Sequence, residues 1–324
     1  MQGGYLSMKV LFTFKDFLGE RKKELEDLGY ELYFEKESDI EFKPYMEEVE
    51  VLVCYNPFNN VDIKKFKNLK WIQLSSVGLD QISEEVGEVI RDRGIILTNN
   101  KGGYGIPIGE WIVMSILELS KGSQCLFEFR RERKWRPIYN ITEIYGKTIG
   151  ILGTGSIAIE AAKRLKPFEV ELLGVNTDGR LVEPFDKCFS INDISTVLNK
   201  SHMVVVTLPN TESTYHLLDE ASLEKMKPGS YIINVSRGKV IDEKALIRKL
   251  EEGHIKGAAL DVFEDEPIPK DSLLWGMKNV IITPHNSWVS DNGFERRTQL
   301  FCDNLKRYIN GKKLMNRADF KKGY

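Results

Sequence analysis

The sequence predicts an α/β protein of two domains, each with a parallel β-sheet covered by helices. Short apolar runs alternate with stretches of helical periodicity along most of the chain, which is typical of parallel sheets. The length of 324 residues is sufficient for two domains with separate cores. In the middle of the chain, at 147–158, an apolar run, a glycine turn and a helical pattern follow one another directly.

The first hundred residues predict a small α/β domain. Apolar runs with the length of buried strands occur at 8–13, 31–34, 49–54, 69–74 and 95–98. Helical spacing is seen at 15–28, which stops at Gly29, and over a shorter stretch at 61–66. The alternation predicts a parallel sheet with helices on its faces.

A largely apolar helix is predicted from 107 to about 133. Pro107 suits a helix start, and Glu110 suits the positive end of the helix dipole. Because apolar residues occupy much of its circumference, we expect the helix to be buried between the domains or against another subunit. The basic run at 130–136 is typical of a solvated helix end, with contact to an anionic ligand as the alternative.

The second half predicts a doubly wound sheet of six or seven strands. Beyond the strand at 148–152, apolar runs occur at 170–175, 203–208, 231–235, 257–263 and 280–283. Helices are predicted between them at 193–199, 218–226 and 242–252. The amphipathic segment 294–309 has no strand of its own here, so we expect it to return to the first domain. The predicted domains are therefore 8–100 with 291–324, and 101–290.

Composition excludes several classes of protein. The net charge of −2 with interspersed signs argues against a dedicated nucleic-acid or membrane-surface protein. The four cysteines lie far apart without metal-binding spacing, which predicts reduced thiols, no metal site and a cytoplasmic location. The longest apolar stretch is too short to span a bilayer, and we see no signal peptide. Residues 1–7, which precede a second methionine, are left out of the fold prediction.

The glycine turn fits the G-x-G-x-x-G/A pattern of dinucleotide-binding sites. Gly153 and Gly155 would let the backbone approach a pyrophosphate, whose charge would face the first helical turn at Ser156 and Ile157. Ala158 occupies the third position of the pattern. Glycine turns between a strand and a helix are also common for purely structural reasons. Whether this turn binds a dinucleotide therefore depends on the residues at the other strand ends.

Polar residues follow the later strands, at the sheet edge where α/β proteins bind ligands. Arg237, Glu266 and His285 each come after a strand and beside a glycine or proline. Considered singly, an arginine in such a position is more often a surface residue, a glutamate a loop carboxylate and a histidine a structural residue. The presence of all three residues at one edge of the sheet indicates a ligand-binding or catalytic site. His202 and His254 lack this placement and are interpreted as structural, and His216 as part of a surface turn.

Five stretches together resemble a known family. They are GKTIGILGTGSIA, VVVTLPNTEST, MKPGSYIINVSRGKVIDEKAL, GAALDVFEDEP and NVIITPHNSW. In this order they resemble the D-2-hydroxyacid dehydrogenases, which include phosphoglycerate, glyoxylate/hydroxypyruvate and formate dehydrogenases. The resemblance covers about residues 69 to 290. It implies a Rossmann cofactor domain, a smaller discontinuous flavodoxin-like substrate domain, and hydride transfer between NAD(P)H and a 2-oxo acid or D-2-hydroxy acid.

The resemblance also implies roles for individual residues. Arg237 would bind the substrate carboxylate, His285 would be the acid/base, and Glu266 would pair with it. Asp261 would orient the nicotinamide carboxamide. The helix starting near Pro107 would form the interface of a homodimer. Substrate contacts are also expected at Ser76, Val77, Gly78 and Trp288, and cofactor contacts at Gly153, Gly155, Ser156, Ile157, Asn176, Thr177, Arg180, Leu208, Pro209, Thr214, Val235 and Ser236.

The choice between NAD and NADP depends on the end of the second Rossmann strand. NAD sites place an acidic residue there for the ribose 2′-hydroxyl, but this chain has Asn176. The missing carboxylate removes repulsion of a 2′-phosphate, and Arg180 could pair with one, whereas Asp178 counts against this. The sequence slightly favours NADP(H), with NAD(H) or dual use as alternatives.

Two other functions fit the same fold. A dinucleotide-sensing protein, such as the family's corepressor relatives, would keep the cofactor site but depend on exposed peptide-binding surfaces and extended tails. A formate-type dehydrogenase would need no proton transfer and would have less use for a His–Glu pair. Because Arg237, Glu266 and His285 are all present, we favour the 2-oxo-acid reductase.

Overall fold

The computed structural model describes residues 7–320. Residues 1–6 of the segment excluded above, and the last four of the predicted range 291–324, lie outside the described residues. The described chain forms two compact units. The central unit is Tyr104–Ser290, and the terminal unit contains the described residues up to Gly103 together with those from Asp291 onward.

The terminal unit has a five-stranded parallel sheet. Its strands are β1 (Met8–Phe12), β2 (Tyr30–Phe34), β3 (Val51–Cys54), β4 (Trp71–Leu74) and β5 (Ile96–Thr98). The order β2-β1-β3-β4-β5 is that of flavodoxin-like folds. Every residue of β3 and β4 is buried, as expected for central strands covered on both faces.

The helices of this unit differ from prediction at three places. Helix α1 spans only Glu20–Asp27, because Gly19 takes a left-handed φ of 56° just before it. Helix α2 (Glu84–Asp92) was missed, although Ser83 is a good N-cap whose Oγ accepts the Val86 N–H at 3.4 Å. The helix expected at 61–66 is a single 3₁₀ turn, Ile63–Lys65.

The central unit has a seven-stranded parallel sheet. Its strands are β6 (Thr148–Leu152), β7 (Glu171–Asn176), β8 (Lys187–Ser190), β9 (Met203–Val206), β10 (Ser230–Asn234), β11 (Ile255–Leu260) and β12 (Val280–Ile282). The order β12-β11-β10-β9-β6-β7-β8 is the Rossmann order extended by one strand. The chain changes winding direction between β6 and β9, which creates the crevice where such sheets bind ligands. The predicted fold class, a Rossmann sheet with a flavodoxin-like one, is confirmed.

Helices cover this sheet on both faces. They are α3 (Gly105–Lys121), α4 (Ser123–Arg131), α5 (Ser156–Leu165), α6 (Ile194–Lys200), α7 (Glu220–Glu224) and α8 (Glu243–Glu251). The single helix expected from 107 to 133 is therefore two, separated at Gly122 with a φ of 63°. Because α3 begins at Gly105, before Pro107, Glu110 lies in its second turn rather than the first.

One side of α3 packs on α5 within the central unit. A Cβ on Gly109 would lie 3.0 Å from backbone atoms of Glu160 and Ala161, so its absence lets α3 pack closely on α5. Trp111, Ile112 and Ile116 join the core of the central unit itself. These three residues are thus buried within the central unit, and contact of α3 with another subunit stays a prediction.

Helix α9 (Gly293–Ile309) completes the terminal unit. Its apolar face packs against β1, β3 and β4, with Phe301, Cys302 and Leu305 in the same core as Phe12 and Trp71. Within the described part of the chain, no helix is both long enough and apolar enough to cross a membrane.

Candidate active site

The glycine turn between β6 and α5 has the steric properties of a pyrophosphate site. Gly153 has a φ of 102°, and a Cβ there would lie 2.6 Å from Thr207 Oγ1. A Cβ on Gly155 would meet none of the described atoms within 4 Å, so the space beside the helix start is open. The turn thus leaves the N–H groups of Ser156 and Ile157, in the first turn of α5, available to an anion.

Asn176 is tied into the turn that follows β7. Its Nδ2 donates to the Arg180 carbonyl at 2.8 Å and to Thr154 Oγ1 at 3.3 Å, and its Oδ1 accepts the Gly179 N–H at 2.7 Å. The amide therefore fixes the 176–180 turn and joins it to the glycine turn. Sequence reasoning had considered this residue only as a contact to the ribose.

The other residues of this turn are open to solvent. Thr177 is exposed, and Arg180 Nη1 lies 2.8 Å from Asp178 Oδ1 in an ion pair whose side chains are 64% and 58% exposed. An ion pair so exposed contributes little free energy. Arg180 can therefore exchange this partner for another anion at small cost.

The loop after β9 is held in shape by its own hydrogen bonds. Thr214 Oγ1 donates to the Pro209 carbonyl at 2.6 Å and accepts the Thr211 N–H at 2.8 Å. Leu208 and Pro209 are half-buried at its start. These bonds give the 208–214 loop a defined shape.

Arg237 follows a turn built by a buried asparagine. Asn234 Oδ1 accepts the N–H and the hydroxyl of Ser236 at 3.0 and 2.9 Å, and Nδ2 donates to the Arg237 carbonyl at 3.0 Å. Val235, between them, is buried. Sequence reasoning missed Asn234, although an asparagine two residues before a serine is a signal for an Asx turn.

Gly238 brings this loop against the loop after β11. A Cβ at this position would lie 1.8 Å from the carbonyl carbon of Phe263 and 2.3 Å from the Glu264 nitrogen. Only glycine fits so close to another backbone. The loops that carry Arg237 and Glu266 are therefore in direct backbone contact.

Glu266 and His285 form a hydrogen-bonded pair. His285 Nδ1 lies 2.8 Å from Glu266 Oε2, while Glu266 Oε1 accepts the Phe263 N–H at 3.1 Å. The bond to Glu266 raises the pKa of His285 above its ordinary value, against burial and the charge of Arg237. Burial opposes ionisation of Glu266, yet the bonds from His285 and Phe263 outweigh it and lower the pKa of this carboxyl.

Asp261 is the fixed point of the loop that carries His285. Its carboxylate has no exposed surface: Oδ1 accepts from Thr283 Oγ1 at 2.6 Å and the Asn286 N–H at 3.0 Å, and Oδ2 accepts the Ser287 N–H at 3.0 Å. The Asp261 carbonyl accepts the His285 N–H at 2.8 Å. The carboxylate thus holds the 283–287 loop, and its contact with a nicotinamide carboxamide stays a prediction.

Trp288 extends the same loop. Its Nε1 donates to the His285 carbonyl at 2.9 Å, and its ring meets Tyr104 edge to face with centroids 6.0 Å apart. The indole is 37% exposed. The indole nitrogen of Trp288 is thus fixed to the 283–287 loop, while about a third of the surface of this residue remains exposed to solvent.

Ser76, Val77 and Gly78 lie in the terminal unit, after β4. Asn100 donates its N–H to the Ser76 carbonyl, and Asn99 Nδ2 donates to the Val77 carbonyl, both at 2.8 Å. These three residues thus belong to the carboxyl edge of the other sheet. The remaining predicted residues, from Gly153 to Trp288, lie at or after the carboxyl ends of strands in the central sheet.

The histidines interpreted as structural lie at the opposite edge. His202 and His254 precede β9 and β11, at the amino ends of the strands. His202 Nδ1 accepts the Thr148 N–H at 3.1 Å, and burial together with nearby lysine charges lowers its pKa. Among residues 7–320, no group of three His, Cys, Asp or Glu side chains is arranged to hold a metal ion.

Comparison with known proteins identifies the family. A family model described as "D-isomer specific 2-hydroxyacid dehydrogenase, NAD binding domain" matches residues 113–287, more than half of the chain. The chain belongs to the D-isomer specific 2-hydroxyacid dehydrogenase family. The predicted resemblance is thereby confirmed, as is the prediction of an NAD(P)-dependent oxidoreductase.

Individual relatives of this dehydrogenase differ in their substrates. A glyoxylate reductase of Thermofilum pendens is 37% identical over 251 residues, covering 75% of this chain and 73% of its own. An (S)-sulfolactate dehydrogenase of Chromohalobacter salexigens is 31% identical over 252 residues, covering 76% and 80%. A family member from Xanthobacter autotrophicus, solved with NADPH and MES, superposes with a TM-score of 0.83 at 26% identity and covers 99% and 100%.

The geometry around Asp261 leads to a first prediction. Asp261→Asn should lower the free energy of unfolding of this dehydrogenase by about 1–3 kcal/mol, because an amide in either orientation leaves one backbone N–H of the 283–287 loop without an acceptor. Urea unfolding measures the loss, and hydrogen exchange should show faster exchange at Asn286 and Ser287. Asp271→Asn, at an exposed position, should change stability by less than about 0.5 kcal/mol. Equal stability of both variants would contradict the anchoring role of Asp261.

Proposed function

We propose that this dehydrogenase reduces a small 2-oxo acid to the D-2-hydroxy acid with NAD(P)H. The observation that carries the proposal is the His285–Glu266 pair, 2.8 Å apart at the carboxyl edge of the central sheet. Arg237 acts on the pKa of both members of this pair, which supports a common site. A proton donor and a guanidinium are the groups that reduction of a 2-oxo acid requires.

Each of these side chains has a distinct task. The guanidinium of Arg237 holds the carboxylate of the substrate and the adjacent ketone in one plane through its forked donors. His285, charged and held through Nδ1 by Glu266, donates a proton from Nε2 to the alkoxide that develops on the ketone oxygen. Bound NAD(P)H supplies the hydride. In the reverse direction, neutral His285 accepts the hydroxyl proton.

The chain offers a set of groups that fit the dinucleotide. The open space at Gly155 and the helix start after it fit a pyrophosphate. The preformed 208–214 loop, with Val235 and Ser236, would line the cofactor further along the sheet edge. Asp261, which holds the loop of His285, would orient the nicotinamide carboxamide, and Trp288 would contact the substrate.

The central test is turnover and its dependence on pH. Reduction requires charged His285, so kcat/KM should fall as pH rises through its raised pKa. Glu266→Gln removes the negative partner that raises this pKa, so the fall should move to lower pH. His285→Gln should lower kcat about 100-fold or more. Oxidation of NADPH or NADH is followed with glyoxylate, hydroxypyruvate, pyruvate and branched 2-oxo acids.

Control reactions separate the alternatives. Glu251→Gln, at an exposed position of α8, should leave the pH profile unchanged. Cofactor binding without turnover of any 2-oxo acid would favour a sensing protein instead, and oxidation of formate would favour a formate-type dehydrogenase. Normal activity of His285→Gln would contradict the mechanism.

For the cofactor, we propose a preference for NADP(H) over NAD(H). Support comes from the absence of a carboxylate at Asn176 and from Arg180, whose exposed pair with Asp178 leaves it able to bind a 2′-phosphate. Arg180→Ala should lower kcat/KM for NADPH about 10-fold, because a charged hydrogen bond is lost, and change that for NADH less than about twofold. Lys187→Ala removes an exposed charge elsewhere on the same unit and should affect neither. Equal losses with both cofactors would contradict the role of Arg180.

We also propose that the protein is a homodimer formed through α3. The outward side of α3 and α4 carries exposed apolar residues, with Met114 at 40%, Leu126 at 45% and Phe127 at 47%. Such patches typically mark protein interfaces. Light scattering should show a dimer that becomes monomeric in the double variant Met114→Glu, Phe127→Glu. The variant Leu181→Ala, at an exposed position away from these helices, is a control that should stay dimeric, and a monomeric native chain would contradict the proposal.

A further inference from the structure

His216 lies where two loops of the proposed site are joined. It follows the 208–214 loop, and its N–H donates to the Lys239 carbonyl at 2.8 Å. Two residues on, the Leu218 N–H donates to the Val240 carbonyl at 3.1 Å. The residues that follow the 208–214 loop are thus paired, in the manner of a parallel sheet, with a segment that begins two residues after Arg237.

The side chain of His216 reaches a third loop. Its Nε2 lies 2.9 Å from Glu264 Oε1, and both side chains are 29% exposed. Glu264 is itself fixed, because its Oε1 accepts the Glu243 N–H at 2.9 Å and its N–H donates to Glu243 Oε2 at 3.3 Å. His216 therefore contacts a carboxylate whose position is set by the start of α8.

Glu264 is close in the chain to the proposed partner of the acid. Glu266 is two residues further on, and its Oε1 accepts the N–H of Phe263. The same Phe263–Glu264 backbone abuts Gly238, beside Arg237. A displacement at Glu264 would therefore change the contact between Glu266 and His285.

The backbone of His216 is also unusual. Its φ of 46° lies in the left-handed region, which histidine adopts at a cost in energy. Such conformations persist where the surroundings hold them, and they are concentrated at functional sites. Here the Lys239 carbonyl holds the backbone and Glu264 lies against the ring, whose other neighbour is the stacked ring of Tyr215, with centroids 4.1 Å apart.

We propose that His216 is a positioning residue for the reaction. Together with the start of α8, it holds Glu264 and with it the 263–266 loop, so that Glu266 keeps its contact with His285. It also couples that contact to the 208–214 loop, on which the cofactor is proposed to lie. This inference rests on the proposed function of Glu266 and His285.

The test uses a variant that keeps the backbone and removes the contact. Asparagine tolerates a left-handed φ but is too short to reach Glu264, so His216→Asn isolates the side-chain effect. We expect kcat for 2-oxo-acid reduction to fall about 10-fold, with KM changed less than about twofold, because the proton donor is misplaced while Arg237 still binds the substrate. The fall of kcat with rising pH should also move to lower pH, because His285 loses the contact with Glu266 that raises its pKa. The other charged groups that shift the pKa of His285 are Arg237, which lowers it, and Asp261, which raises it.

A second variant tests the path through Glu264. Glu264→Gln should give the same change in kcat and in the pH profile, and the double variant with His216→Asn should be no worse than either single variant. Glu251→Gln, at an exposed position of α8 outside the proposed site, should have no effect. Thermal unfolding checks that each variant folds, and His216→Gly, which also accepts the left-handed φ, replaces His216→Asn if that variant does not.

The outcomes are separable. A folded His216→Asn or His216→Gly variant with native kcat and an unmoved pH profile would overturn the proposal. The proposal would also be overturned if the variant lost stability, changed kcat and KM by the same factor and kept the native pH profile of kcat. That result would indicate a purely structural role for His216. Normal activity of His285→Gln would contradict the proposed function itself, whatever the His216 variants show.

Discussion

The position of His285 depends on the buried carboxylate of Asp261. A charge without exposed surface is tolerated only when hydrogen bonds replace its water, and here one hydroxyl and two backbone N–H groups do so. Because those donors belong to the 283–287 loop, the requirement to satisfy the charge determines the path of the loop. The left-handed backbone of His285, with a φ of 50°, follows from this path. Glu266 then meets an imidazole whose orientation is already set.

Contacts between backbones have a similar effect on the next loop. Gly238 allows the chain after β10 to approach Phe263 more closely than any side chain would permit. Asn234 closes the turn before it, so Arg237 stands between two fixed points. Polar side chains and a missing Cβ thus arrange the proposed site, while the apolar cores beneath supply the stability of the sheet. This division is common in α/β proteins, where loops carry function on a rigid scaffold.

The fold was predictable from sequence because buried parallel strands are short, continuous apolar runs. Strand β8 was missed because it is an edge strand, and most of its residues are only half-buried. Gly122 marks the end of α3, but a helix pattern that continues on both sides concealed the break. The packing of α3 on α5 was not predicted, since periodicity reveals an apolar face and not its partner.

The candidate site was predictable to the level of its strand ends. Which atoms the polar side chains contact was not, because hydrogen-bond partners depend on the paths of loops that have no periodic pattern. Asp261 and Asn176 illustrate this limit, because the sequence did not reveal the hydrogen bonds that tie both side chains to their own loops. Asn234 and Glu264, which lie close in the chain to candidate catalytic residues, were overlooked because the sequence does not show the contacts that they make.

The amide of Asn176 has a consequence for protein engineering. It acts at once as donor to the Arg180 carbonyl and as acceptor for the Gly179 N–H, and a carboxylate can fill only the second of these positions. An aspartate introduced alone would place a negative charge against a carbonyl oxygen and release the turn. Conversion of the nucleotide preference in this chain therefore calls for exchange of the whole 176–180 segment as one cassette, taken from a protein in which an acid and its turn already fit each other.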